Sequence, residues 1–398
     1  MPGREAAMVD EPAGGLPVER PASGEEAAEL LQACAREGRR VRIRGGATKL
    51  GWGNPVEADV VLCTDALNEI VEHNPGDLTA VLQAGVPLAD AQAEFADAGQ
   101  HLALDPPLGA GEAATAGGIV ATANAGPLRH RYGSARDLIL GVILALPDGT
   151  LARAGGKVIK NVAGYDLAKL STGAYGTLGL VVQVAVRLHP IPERTASVAA
   201  EGDDPETLGA AVARLAVAPL EAEALDVAWR DGHGGVLARY GGPAAPEQAR
   251  DAARLLGADG GLGVRIIEED EEPWAQQRTA QRAAEGAMLR VSALPAHLPR
   301  LLRAADEHGG GLVGRAAFGT SWLRLAPAGD DELAASVRAL REALAPAPCV
   351  VLDAPEAVRN AVDPWGPQDD GLLALSRRLK ERFDPDRICN PGVFVGGL

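Results

Sequence analysis

Residues 41–49 read Val41-Arg42-Ile43-Arg44-Gly45-Gly46-Ala47-Thr48-Lys49, a short strand-like run that ends in paired glycines and a small polar loop. Glycine tolerates backbone angles that turn successive N–H groups onto one concave surface, and such a surface holds an anion. Thr48 adds a hydroxyl, and Arg42, Arg44 and Lys49 add positive charge. A tight strand-to-loop turn with solvated basic side chains has the same composition. The flanking sequence decides which of the two it is.

Upstream, 25–38 has helical spacing and stops at Gly38. Downstream, 59–63 predicts a strand, 65–70 a short helix and 78–84 an alternating strand. Residues 87–98 predict a helix with Pro87 at its start and Gly99 just past its end. A second motif follows. It is Asp105-Pro106-Pro107-Leu108-Gly109, then Ala114-Thr115-Ala116-Gly117-Gly118-Ile119-Val120-Ala121-Thr122-Ala123-Asn124-Ala125-Gly126. Residues 105–136 are expected to be mostly loop. Small residues there let backbone approach a flat ligand, while Thr115, Thr122 and Asn124 offer polar contacts. A long apolar loop is more often functional than ornamental.

A third motif, Arg129-His130-Arg131-Tyr132-Gly133 with Arg136-Asp137, concentrates positive charge; surface arginines in local ion pairs would read the same. The run 138–146 is a buried strand, too short to span a bilayer. With the turn Pro147-Asp148-Gly149 and residues 150–153 it predicts a hairpin. The fourth motif is Lys157-Val158-Ile159-Lys160-Asn161-Val162-Ala163-Gly164-Tyr165-Asp166-Leu167, with a helical turn at 166–170. It leads into Gly173-Ala174-Tyr175-Gly176-Thr177-Leu178-Gly179-Leu180 and a long apolar strand over 179–188. Pro190 and Pro192 mark a boundary.

Beyond it the order strand, helix, strand, strand, helix, strand occurs twice, over 194–267 and 288–352. Residues 225–229 correspond to 312–316, and 235–240 to 322–325. Each unit has the order of a ferredoxin-like split βαβ. Gly309-Gly310-Gly311-Leu312-Val313-Gly314 has dinucleotide-fingerprint spacing, but a helix precedes it and a strand follows, the reverse of what that motif needs. GxxxxGK[ST], HExxH and GxSxG do not occur.

Composition narrows the function. The formal net charge of −16 argues against sequence-independent nucleic-acid binding but leaves small anions open, since local N–H groups and arginines can hold them. Cys34, Cys63, Cys349 and Cys389 form no CxxC pair, which argues against structural zinc or a self-contained iron–sulfur cluster and suits a cytoplasmic protein. Residues 1–20 lack the pattern of a signal peptide and read as a disordered leader.

In this order the four motifs resemble the FAD-binding domain of the vanillyl-alcohol-oxidase (PCMH-type) family over about residues 20–190. KNVAGYDLAKL…GTLGLV is similar to the glycolate oxidase and D-2-hydroxyacid dehydrogenase branch. GPLRHRYGSARDLILGV and FDPDRICNPGVF are most similar to the FAD-binding E-type subunits of glycolate oxidase.

The resemblance implies an α+β fold. A two-lobed PCMH-type domain at 21–192 is followed by a cap of two ferredoxin-like βαββαβ units at 193–352 and a tail at 353–398 that packs on the FAD domain. It implies that Arg44, Gly45, Gly46, Ala47, Thr48 and Lys49 wrap the pyrophosphate. Pro106, Thr115, Gly117, Gly118, Thr122, Asn124 and Gly126 would line the flavin and its linker, and Gly179 and Leu180 would make backbone contacts. Arg129 is a further candidate, and Lys160, Asn161, Tyr165 and Asp166 would shape the site.

Two departures from the family pattern carry consequences. Members that tether flavin often carry His in or near the first loop, where this chain has Ala47-Thr48, so FAD is expected to be non-covalent. The catalytic subunits carry an HGDGN-like segment for metal and substrate, and the nearest string here is His308-Gly309-Gly310-Gly311. His233, His297 and His308 stand alone, so no metal site and no catalytic residue is assigned. The expected function is the FAD-binding subunit of a glycolate (2-hydroxyacid) oxidase complex, partnered by a second flavin subunit and an iron–sulfur subunit. A stand-alone FAD-dependent oxidase and a flavin-free scaffold are the alternatives.

Overall fold

The computed structural model describes residues 15–157, 165–258 and 260–398. The first half has two lobes. In one, Val18–Glu19, Val60–Cys63 and Val41–Arg44 form a parallel three-stranded sheet. Val18–Glu19 therefore belongs to the fold and corrects the leader's expected end at residue 20; residues 1–14 lie outside the described residues.

The helix Gly24–Glu37 covers this sheet with Ala27, Ala28, Leu31 and Cys34. Ser23 caps it by accepting from the Glu26 N–H at 3.1 Å, and Gly38 ends it at φ 65°. The second lobe is a five-stranded antiparallel sheet in the order Ile70–Asn74, Thr79–Gln83, Leu180–Arg187, Ile139–Ala145, Leu151–Gly155. Its central strand is buried on both faces. Leu180 and Val182 meet the first lobe, while Val181, Val184 and Val186 meet the second lobe's own core.

One local expectation is overturned and another is modified. Residues 65–70 form no helix; Ile70–Asn74 instead pairs as a hairpin strand with Thr79–Gln83, a tertiary gain that outweighs weak helical spacing. Residues 105–136 hold more helix than expected, since Ala116–Thr122, Arg129–Tyr132 and the start of Ala135–Leu138 are short helices set among loop.

The second half is one antiparallel sheet. Its strands run Gly263–Ile267, Thr195–Gly202, His233–Gly241, Ala222–Arg230, Gly311–Arg315, Thr320–Leu325, Ala287–Ser292, Cys349–Asp353. Each set of four has βαββαβ connectivity, and the sets join edge to edge where Ala222–Arg230 pairs with Gly311–Arg315. Pro205–Val217, Ala245–Gly257, Leu298–Glu307 and Asp330–Leu344 bury one face in a single large core. The other face turns toward the first half. There Met288, Val313, Trp322, Val350 and Leu352 pack with Trp52 and Tyr175 from the first half and with Trp365, Val393 and Val395 from the tail.

The tail is fastened to the first lobe by backbone and by charge. The Val41 N–H donates to the Ile388 carbonyl at 2.7 Å, and the Asn390 N–H donates to the Val41 carbonyl at 2.9 Å. The buried Lys380 ammonium donates to Asp384 Oδ2 at 2.7 Å and to the carbonyls of Thr177 at 2.8 Å and Cys389 at 2.9 Å. Asp384 also accepts from the N–H groups of Ile388 and Cys389. A buried pair saturated in this way stays folded at little net gain, but removing one partner strands the other charge. Lys380→Met is expected to lower unfolding stability by about 3 kcal/mol, read from urea denaturation.

Candidate cofactor-binding site

A cavity opens between the two lobes of the first half, with the tail and the first loop at its edge. Three motifs meet there. Gly45, Gly46, Ala47, Thr48 and Lys49 come from the first, Thr115, Gly117, Gly118 and Thr122 from the second, and Tyr175, Gly179 and Leu180 from the fourth. Four expected residues lie elsewhere. Arg44 is buried in the strand before the loop, and Pro106 lines a separate cavity facing the large sheet. Asn124 is buried, and Gly126 supplies a carbonyl that accepts from Arg315 Nε at 2.9 Å.

The glycines act differently from the sequence-based expectation. Gly46 does not have positive φ; a Cβ on it would stand 1.6 Å from the Ala113 carbonyl oxygen. A Cβ on Gly45 would stand 2.5 Å from Thr115 Oγ1, and one on Gly117 2.6 Å from Ala84 Cβ. These positions let the loops close on one another. Positive φ in the lining falls on Gly176 at 70° and Gly179 at 139° and also on three non-glycine residues, Ala47 at 58°, Tyr175 at 54° and Asn390 at 42°. Such conformations cost of order 1–3 kcal/mol each and cluster at ligand clamps.

Asn390 is held by its side chain. Its Oδ1 accepts from the Ile43 N–H at 2.8 Å and its Nδ2 donates to the Tyr175 carbonyl at 2.7 Å, joining the first strand, the fourth motif and the tail. Asn390, Val393 and Thr64 are lining residues that the motifs missed. The late string around Asn390 was the one signal available for the first two. Thr115 caps the helix Ala116–Thr122 by accepting from the Gly118 N–H at 3.2 Å, and Thr122 Oγ1 donates to the Gly118 carbonyl at 2.8 Å.

Several buried polar atoms have no partner among the described residues. Thr64 Oγ1 and the Tyr175 hydroxyl belong to lining residues; Arg44 Nε and Asn124 Nδ2 lie behind them. Buried polar groups are almost always satisfied, so these fit a polar ligand. Lys49 fits an anion. Its ammonium lies 3.2 Å from Thr48 Oγ1 and 5.9 Å from the centre of the Trp52 ring. Burial, helped by repulsion from Arg282 and opposed by Asp353, pushes it down to about 7. The same corner ties the halves together, since Asp353 accepts from Trp52 Nε1 at 2.8 Å and from Arg282 Nε at 2.8 Å.

The third motif spans the interface. Arg131 pairs with Glu221, and the Tyr132 hydroxyl donates to Glu223 at 2.8 Å. Beside it sits a charge cluster that the sequence did not reveal. Arg315, fully buried, pairs with Asp226, and Asp105 lies close to both. Burial raises Asp226 to about 7 and Asp105 to about 6, with Arg315 pulling both back. Tyr165 is 92% exposed and Asp166 caps a surface helix, so neither shapes the site as expected. Lys160 and Asn161 lie outside the described residues. Among the described residues no group of His, Cys, Asp and Glu could hold a metal, and all four cysteines are buried thiols.

Comparison with known proteins agrees with this geometry. The profile of the family described as FAD binding domain matches residues 16–155. An FAD-linked oxidoreductase of Mycobacterium tuberculosis is 31% identical over 95% of this chain and 90% of its own length. The glycolate oxidase subunit GlcE of Escherichia coli is 30% identical over 89% of this chain and 93% of its own. The glycolate oxidase subunit GlcD of Bacillus subtilis is 36% identical over 44% of this chain and 37% of its own. An alkyldihydroxyacetonephosphate synthase structure shares the fold, with a TM-score of 0.66 at 15% identity over 94% of this chain and 75% of its own.

A side chain at Gly46 must push the first loop off Ala113. Gly46→Val is expected to lose most bound flavin and also to lower the melting temperature. Gly51→Ala, at a position with open space around it, is expected to change neither. The ratio of visible to ultraviolet absorbance and a thermal melt read both effects.

Proposed function

Because this chain belongs to the family of FAD-linked oxidoreductases that includes the glycolate oxidase subunit GlcE, we propose that it is the FAD-binding subunit of a glycolate (2-hydroxyacid) oxidase complex. The observation that carries this reading is the convergence of three separated motifs and the tail on one cavity that holds unpartnered buried polar atoms. We read the paired βαββαβ units as ferredoxin-like halves of a cap over that cavity. Its partners are a second flavin subunit and an iron–sulfur subunit. No helix among the described residues is long and apolar enough to cross a membrane, and we assign the chain to the cytoplasm, with any membrane contact made through partners.

The loop at Gly45–Lys49 and the segment Thr115–Gly118 would hold the pyrophosphate. Thr64, Thr122, Tyr175, Gly179 and Leu180 would hold the rest of the cofactor. Bound FAD supplies the two-electron acceptor, and the protein supplies orientation. Lys49, largely without a counter-ion, recovers full charge against an anion. Trp52, Trp322, Trp365 and Phe394 close the cap side against water. The lining contains neither His nor Cys among the described residues, which supports dissociable FAD. Acid precipitation is expected to leave all yellow colour in the supernatant; colour in the pellet overturns non-covalent attachment.

One observation favours the stand-alone oxidase. Asp105 lines the cavity facing the large sheet and, at about 6, can accept a proton near neutral pH. Oxidation of a hydroxyacid needs a base at the hydroxyl, and the sequence alone offered none. Anaerobic mixing of the purified chain with glycolate or D-lactate separates the readings. The subunit reading expects slow or absent bleaching of the flavin band until partners are added. Rapid saturable bleaching by the chain alone establishes the stand-alone oxidase.

A further inference from the structure

We propose that the cleft containing Asp105 takes an acid with a long apolar tail, and that the first-half wall from Leu104 to Leu108, continued by Ile191, holds that tail. The proposal rests on the functional reading above and names its substrate class, a 2-hydroxyacid extended by several methylene groups.

The cleft lies between the two halves and has a volume of about 920 Å³. Clefts of that size hold ligands far bulkier than glycolate, which would leave most of the space to water. The two walls differ in character. The first half presents Leu104, Pro106, Pro107, Leu108 and Leu128. The wall facing them is polar, with Glu223 and Arg239 from the large sheet and Arg278 from the helix Glu271–Thr279. Asp105 touches both sides. Its Oδ1 accepts from the Leu128 N–H at 3.0 Å, and its Oδ2 stands 4.0 Å from Arg278. A ligand that satisfies both walls has a polar end beside Asp105 and an apolar remainder along the first half.

The apolar wall is held rigidly. Gln92 pins it from the helix Leu88–Asp97, its Nε2 donating to the carbonyls of Leu102 at 2.6 Å and Leu104 at 3.2 Å while its Oε1 accepts from the Leu102 N–H at 3.0 Å. Ile191 lines the same cleft. It is 41% exposed and belongs to none of the hydrophobic cores among the described residues. Its backbone is nevertheless fixed. Pro190 and Pro192 flank it, its N–H donates to the Gly99 carbonyl at 2.9 Å, and His189–Pro190 pairs with Gln100–His101. Single exposed apolar residues are commonplace, but this one continues an apolar wall. Held in water it adds nothing to the core, and an apolar ligand is what buries it. The same burial selects the ligand, because each methylene moved from water onto the wall tightens binding about fourfold. An acid without a tail gains none of this.

The test uses the full chain loaded with FAD and titrated calorimetrically with butanoate, hexanoate and octanoate, which carry the acid and the tail but no hydroxyl to oxidise. Affinity is expected to rise about tenfold with each added pair of methylenes. Ala96→Trp places a large side chain in the cleft from the exposed side of the helix Leu88–Asp97, and Ile191→Asp places a charge on its apolar side. Both are expected to retain FAD, to leave butanoate unchanged and to weaken octanoate about tenfold or more. Val217→Asp, at an exposed position outside the cleft, is expected to change neither. If Ala96→Trp does not fold, Ile191→Asp decides. Octanoate binding no tighter than butanoate, or octanoate affinity unchanged in Ile191→Asp, overturns the tail site and leaves the flavin reading standing. A chain that takes up no FAD, yet shows the same rise with chain length and the same loss in Ile191→Asp, overturns the flavin reading and leaves the tail site standing.

Discussion

The closest constraint in the molecule is backbone against backbone. At Gly46 and Ala113, Gly85 and Thr64, and Gly126 and Asp105, a Cβ on the glycine would fall within 2 Å of a carbonyl oxygen. No rotamer relieves such a contact, because the obstacle is main chain. The loops that wall the cofactor cavity can therefore meet only if those positions lack a side chain. Once they meet, the remaining features follow. The Gly85 N–H donates to the Leu67 carbonyl and the Gly117 N–H to the Ala84 carbonyl, tying one lobe's turn to the other lobe's helix. Thr64 and Thr115 are carried to the cavity by the same contacts.

That constraint also explains what the sequence could tell. Paired glycines are visible in a sequence, so the motifs were found; the partner each glycine packs against is not visible, so its role was misassigned. The helix Ala116–Thr122 was read as loop because Gly117 and Gly118 are poor helix formers in isolation. Its stability comes from the Thr115 cap and from packing on Ala84, a tertiary contact. The repeat in the second half was legible because each strand and helix there carries its own hydrophobic period and needs no distant partner to be recognised. Asp226, Arg315 and Arg290 were not legible as a group. Strand pairing alone brings them to the first half, and nothing local marks them.

The tail shows how a distant segment becomes part of a site. Asp384 gathers the Lys380 ammonium and two backbone N–H groups, which fixes the turn leading to Cys389. That turn places Asn390 beside Ile43 and Tyr175, where one amide side chain bonds both. The strain at Tyr175 and Asn390, both at positive φ, is held by this network. The buried ion pair thus contributes position more than net stability, because most of its Coulomb gain offsets the loss of water around two charges.

Net charge gives the wrong intuition about the interface. A chain at −16 should repel small acids, yet the surface between its halves is crowded with guanidinium groups. The two scales do not compete. Exposed carboxylates act on a ligand across water and salt, and beyond about 8 Å at physiological ionic strength they are largely screened. Arg290, Arg129 and Arg315 sit at a low-dielectric junction where a unit charge acts several-fold more strongly at the same distance. Arg315 is neutralised by Asp226, so its presence adds structure and little field. Arg129 has Asp137 acting on it, and Arg290 pulls the Tyr175 hydroxyl back against its burial, so the local potential at Tyr175 is set by the side chains around it and not by the net charge of the chain.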